Sequence, residues 1–353
     1  KFALSVILSV LGAAVGLAQN LQPKHGSFRV KNVLSVKVPD GAKKVRMWVA
    51  VPQADAFTEV KNLNLKTAFP VRYSNDSWGN RVAYVEAVSP SSGKLVIEES
   101  FDVTRTESIN KVDPELTRPF TDAERAAMSR YLQYSTYVVA NDDIKKIAAS
   151  IVGNETNPVR IARKLYDWTY QNINYWVKDP DNLKASPVGS ATYCLTTKTG
   201  NCTDFHSLFS SLAISAGLPN RMVYGSLLKP TLNGFDVDAS YHCWIEFYAP
   251  KLGWIPLDAS LANIYWGDTP LTDKNRTLIE RTTSVGYKGP DTKMINYYFG
   301  NLDERRVVWS MGRDLMMQPA QEDGPVNALH KIHVEIDGKA SAEWERVLTY
   351  SEL

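Results

Sequence analysis

The sequence predicts an α+β fold in two main parts. An N-terminal antiparallel β-sandwich precedes a unit in which a cysteine-bearing helix packs on an antiparallel sheet. Three observations predict it. Apolar residues alternate in short runs, separated by turn signals, up to about residue 108. After residue 110 the apolar period changes to that of a helix. Cys202 then opens a long helical pattern, and two strand-like runs carrying His242 and Asp258 follow it. At about 100–200 residues per domain, 353 residues suit two or three domains with a sizeable core.

Residues 1–18 read as an address. Lys1 gives a positive start, residues 2–15 are almost wholly apolar, and Gly16-Leu17-Ala18 is a small-x-small cleavage pattern before Gln19. A signal peptide and a secreted or periplasmic location are expected. The run is shorter than the ~18 apolar residues that a membrane span needs, and no later run reaches that length. No membrane span is therefore expected once the signal is cleaved.

Residues 19–108 form the expected sandwich. Val45, Met47, Val49 and Val51 alternate, as do Leu95, Ile97, Phe101 and Val103. Pro39-Asp40-Gly41, the Asp76–Asn80 stretch and Ser91-Ser92-Gly93 supply the turns. Residues 109–265 form the expected catalytic domain. Thr121 and Glu124 make a capping box, Ile144, Ile147 and Ile151 mark a second helix, and Pro158 opens a third. Residues 203–216 predict a fourth, with Phe205, Leu208, Phe209 and Leu212 on its buried face and Gly217-Leu218-Pro219 ending it. Residues 266–353 are expected to be a β-rich C-terminal extension.

Charge excludes some functions. The 40 basic and 38 acidic residues are interspersed and leave a net charge of +2. No basic stripe suggests nucleic acid. No phosphate-binding glycine loop or calcium-loop pattern is present, so no metal or organic cofactor is implied. His330 and His333 lie three apart on a strand-like run and so on opposite faces, which argues against a shared metal. The three cysteines are Cys194, Cys202 and Cys243, and in an oxidising compartment an odd count leaves at least one thiol free.

Cys202 is the expected nucleophile. At a helix N-terminus, free N–H groups and the helix dipole stabilise a thiolate, and the same N–H groups can receive an oxyanion. Gly200 would allow close approach of the backbone to substrate. The nucleophile needs a base held by a third group. His242 lies on one strand and Asp258 ends the next. A turn centred on Pro250 pairs them directly, and one centred on Lys251 makes them diagonal neighbours. Both registers put them on one face. His206 is a rival base, four residues from Cys202 on the same helix face. Tyr175 or Trp176 is expected to be core, with cleft wall or oxyanion donor as the alternative. Asp204 reads as a charge complementing the dipole.

These motifs resemble the transglutaminase-like family. The matching residues are Gly200-Asn201-Cys202, Ala216-Gly217-Leu218-Pro219, Tyr241-His242-Cys243-Trp244 and Gly253-Trp254-Ile255-Pro256-Leu257-Asp258, with Leu257 as an insertion. The resemblance implies a papain/transglutaminase-like core, with Cys202 as nucleophile, His242 as general base then acid, and Asp258 as orienting residue. It implies a protein or peptide substrate, attack on an amide carbonyl, and a thioester acyl-enzyme, with hydrolysis favoured over crosslinking. The rival reading is a catalytically silent copy of the fold, serving as an envelope binding or scaffold protein. A papain-like protease is disfavoured by the short separation of Cys202 and His242.

Overall fold

The computed structural model describes residues 22–283 and 286–353. The expected signal peptide lies outside them. Among the described residues no helix is long and apolar enough to cross a membrane.

The N-terminal part is a sandwich of two antiparallel sheets. One has the strand order Trp344–Glu352, His25–Val38, Gly93–Thr106, Thr58–Lys66. The other runs Lys339–Ala340, Ile332–Ile336, Lys44–Ala50, Arg81–Val88, Val71–Asn75. His25–Val38 and Gly93–Thr106 pair along their whole length. Their inward residues, among them Leu34, Val36, Leu95 and Ile97, meet Val45, Met47, Val49 and Val85 of the facing sheet. The alternation of apolar residues thus reports the pleat, with side chains pointing to opposite faces in turn. Lys44–Ala50 is buried on both faces. Trp48 points away from the intersheet core, packs with Leu315, Met317 and Leu329, and donates from Nε1 to the Pro319 carbonyl at 2.9 Å.

The expected C-terminal extension is not a unit of its own. Trp344–Glu352 completes one sandwich sheet beside His25–Val38, and Ile332–Ile336 joins the other beside Lys44–Ala50. Arg306–Met311 pairs with Asn220–Leu227 in a further antiparallel sheet, and helices Asp273–Thr282 and Thr292–Tyr297 precede it. Local patterning identifies strands but not distant partners. Pairing here satisfies sheet edges that would otherwise stay open.

That further sheet has the order Gly253–Leu257, Tyr241–Ala249, Asn220–Leu227, Arg306–Met311. Helix Cys202–Ser215 packs on it and also against helices Asp142–Val152, Pro158–Asn172 and Ala191–Thr197. That helix is buried on every side rather than along one face. Burial of Phe205, Leu208, Phe209 and Leu212 stabilises it by roughly 1.5–3 kcal/mol each. Two of its serines are matched locally. Ser207 donates to the Gly189 carbonyl at 2.8 Å, and Ser210 to the Asn220 side chain at 2.6 Å. Thr121 and Glu124 form the expected capping box, although the helix they open is only Asp122–Ala127.

Candidate active site

Asn201 folds the helix mouth. Its side chain accepts from the N–H groups of Thr203 (2.9 Å) and Asp204 (3.1 Å), and Asp204 accepts from Asn201 N–H at 3.0 Å. The Thr203 and Asp204 N–H groups are therefore engaged. The N–H of Cys202 instead donates to the Tyr175 hydroxyl at 3.2 Å. Asp204 is more than a surface charge. It is fully buried and also accepts from Ser186 N–H (3.0 Å) and Ser190 N–H (2.7 Å), tying the preceding loop to the helix. Gly200 is needed for that closure rather than for substrate approach. A Cβ there would strike the Asp204 side chain, with the carboxylate oxygen 2.8 Å away.

The hairpin takes the second of the two possible registers, with Ile245 opposite Leu257 and Tyr248 opposite Trp254. His242 and Asp258 are accordingly diagonal. Pro256 is tolerated because its strand is at the sheet edge. The ladder ends at Leu257, and Asp258 caps helix Ala259–Tyr265 by accepting from Leu261 N–H at 3.0 Å. Its other oxygen lies 2.7 Å from His242 Nε2. His242 in turn lies close enough to Cys202 for each to shift the other's ionisation. Its strand neighbour across the sheet is Gly225, where a Cβ would strike the Val307 carbonyl and the Trp244 ring. Gly225→Ala is expected to destabilise the protein by about 1–3 kcal/mol, measured by urea unfolding.

Electrostatics follow from burial and pairing. Burial alone would push the Cys202 thiol up. Hydrogen bonding with Cys243 and the His242 charge outweigh it and hold the thiol well below its usual range. Burial would lower His242, but the Asp258 and Cys202 charges raise it to about 9. Asp258 is held below the normal carboxylate range, because the His242 and Arg306 charges overcome desolvation. A thiolate beside an imidazolium is the favoured state near neutrality.

Cys202 is only 3% exposed, yet it is not sealed. It lines a cavity of about 340 Å³, with Tyr175, Trp176, Leu227, Tyr241 and Leu278 in its walls. The thiol is thus reachable by a small or extended group.

Several participants carry no signal in the local sequence. Arg306 is fully buried, with Nη1 3.4 Å from Asp258 and Nη2 2.9 Å from Asp303. It lies under Trp244, with 5.0 Å from its guanidinium carbon to the ring centre. Trp254 is likewise a packing residue, stacked on Arg221. His206, the rival base, reaches the same carboxylate from the helix. Its Nε2 is 3.6 Å from Asp258 Oδ1, but burial lowers it to about 4, so it stays neutral. Cys243 alternates with His242 along the strand, and its sulfur meets the helix mouth, 3.7 Å from the Thr203 hydroxyl. All three thiols are unbridged. His330 stacks on Tyr241, whereas His333 lies 3.7 Å from Glu335, so the two imidazoles occupy separate settings. Arg313 and Asp314 do not pair. Arg313 donates to the Val188 and Gly189 carbonyls, and Asp314 accepts from Thr136.

Residues 145–259, which contain Cys202, His242 and Asp258, match the Transglutaminase-like superfamily. This segment is a transglutaminase-like core. The chain is 24% identical to an uncharacterised protein of Haemophilus influenzae over 362 residues, covering 94% of this chain and 92% of that protein. The crystal structure of a candidate cysteine protease from Cytophaga hutchinsonii shares the fold, with a TM-score of 0.59 and 15% identity over 94% of this chain and 92% of that one. Both likenesses extend over nearly the whole length of each chain.

Proposed function

We propose that this chain is an exported transglutaminase-like thiol enzyme acting on amide or peptide carbonyls. The observation that carries the reading is the line of groups at the cavity floor. Cys202 lies beside His242, whose Nε2 is 2.7 Å from the buried Asp258 carboxylate. In the proposed reaction the Cys202 thiolate attacks the carbonyl carbon. The Cys202 N–H and the Tyr175 hydroxyl, now facing each other, are placed to donate to the oxyanion. His242 protonates the departing amine, leaving a thioester on Cys202. Neutral His242 then takes a proton from water, which attacks the thioester and frees the acid. Water needs no second binding site, and this favours hydrolysis over transfer to a lysine amine. Asp258 holds the imidazole tautomer and stabilises its charge. Export rests on the pattern of residues 1–18.

The test is alkylation by iodoacetamide across pH. Thiolate is present above the depressed Cys202 value and lost as pH falls through it. Labelling of Cys202 is expected to persist well below the ~8.5 of an ordinary thiol and to outpace Cys194 and Cys243. Labelling that rises only near ~8.5, or no faster than at Cys194, would sink the reading and favour the silent copy of the fold. Intact-mass detection of an acyl adduct on Cys202 after exposure to peptide mixtures would then identify the substrate class.

A further inference from the structure

Acyl transfer leaves a second thiol–imidazole unit at the site unused. Cys243 Sγ is 3.4 Å from His206 Nδ1, and His206 Nε2 faces Asp258 Oδ1 at 3.6 Å. Two Cys–His units thus share one carboxylate, one from each oxygen. The sulfurs themselves are neighbours. Both flank the Thr203 hydroxyl, Cys202 Sγ at 4.0 Å and Cys243 Sγ at 3.7 Å. The helix that starts at Cys202 packs directly on the strand that carries Cys243. Both groups are buried, but Cys202 also lines the cavity, so a small molecule can meet it first. Cys194 is buried on a different helix and is the built-in control.

We propose that Cys243 is a resolving thiol. A hydroperoxide that oxidises Cys202 is answered by a Cys202–Cys243 disulfide, with His206 positioning the Cys243 thiol. The proposal rests on Cys202 being a reactive thiolate, as the preceding reading requires. In the first step the Cys202 thiolate attacks a peroxide oxygen. An S–O bond forms, the O–O bond breaks, and the alkoxide or hydroxide leaves with the His242 proton. Cys202 becomes a sulfenic acid, oxidised by two electrons, and the peroxide is reduced to an alcohol or water. In the second step the Cys243 thiol, held 3.4 Å from His206 Nδ1, attacks Cys202. An S–S bond forms, the S–O bond breaks, and the Cys243 proton passes to the departing hydroxide, which leaves as water. The disulfide blocks the nucleophile, and a thiol reductant restores it. Without a neighbouring thiol, a sulfenic acid proceeds to sulfinic acid, which such reductants do not reverse.

The experiment exposes the full chain to hydrogen peroxide and reads intact mass and non-reducing peptide maps. The expected product is lighter by two hydrogens and joins Cys202 to Cys243, and dithiothreitol restores iodoacetamide labelling. In Cys243→Ala, Cys202 gains oxygens instead, and the label recovered by dithiothreitol falls about tenfold. In His206→Gln the disulfide forms more slowly and dimedone traps the sulfenic acid. The wild-type map stands without either variant if they fold poorly. Oxygen adducts without a bridge, a bridge to Cys194, or no oxidation of Cys202 would each overturn the proposal. Iodoacetamide labelling of the same untreated sample separates the two readings. Fast labelling without a disulfide overturns only the resolving role, and slow labelling overturns both.

Discussion

Cys202→Ala is expected to lower kcat by about a million-fold on any peptide that wild type cleaves, with no acyl adduct in the mass spectrum. The size follows from the role. Without the sulfur there is no covalent intermediate, and His242 can only activate water at a geometry built for something else. Cys202→Ser is expected to be nearly as poor, because a hydroxyl is far harder to ionise than a thiol and the site lacks a base strong enough to hold its proton. The fold should survive both changes. Cys202 is small, and its loss removes a buried charge that His242 otherwise has to match. Urea unfolding of the variants separates lost chemistry from lost structure. Comparable turnover in Cys202→Ala would reassign the nucleophile.

Asp258 is expected to affect both activity and stability, and two substitutions separate the effects. Asp258→Ala leaves His242 and Arg306 buried without their shared counter-charge and uncaps helix Ala259–Tyr265. Breaking a buried pair costs about 3–5 kcal/mol, and loss of the cap adds about 1 kcal/mol. Asp258→Asn keeps an oxygen for the cap but presents an amide to His242 Nε2, favouring the wrong tautomer. It is expected to retain more stability while kcat falls about 10⁴-fold. The pH profile supplies an independent check. In wild type the imidazolium is present below about 9 and is lost as pH rises through that value, giving the alkaline limb. Without the carboxylate, desolvation dominates and the alkaline limb moves down. An Asn variant with near-normal rate and an unmoved limb would assign orientation of His242 to another group.

What the sequence made legible was local. Gly200-Asn201-Cys202 and the run after it specify a capped helix, because capping depends on residues three apart. The hairpin around Pro250 and Lys251 brings His242 to Asp258 because its turn is short, though two registers satisfied the pattern. Distant pairings were not legible. Arg306 reaches Asp258 only because its strand joins the far side of the sheet. Tyr175 meets Cys202 through the short parallel pairing of Asn174–Tyr175 with Thr199–Gly200. The setting of Cys243 was not legible for a different reason. Period two correctly separates it from His242 along the strand. The helix that starts at Cys202 packs on this strand, and Cys202 lies beside both residues. The C-terminal strands failed for the same non-local reason, since alternation says nothing about which edge a strand will fill.

The pairing of Trp344–Glu352 with His25–Val38 has a consequence for how the molecule comes into being. The sandwich cannot close until residues more than three hundred positions apart have met, and Arg306 must also be in place to balance the charge on Asp258. A chain still being synthesised therefore carries Cys202 without its finished surroundings. The setting of Cys202 is complete only once Arg306 and Trp344–Glu352 have been delivered, and the 109–265 segment cut out by itself would lack both its fourth sheet strand and its balancing cation.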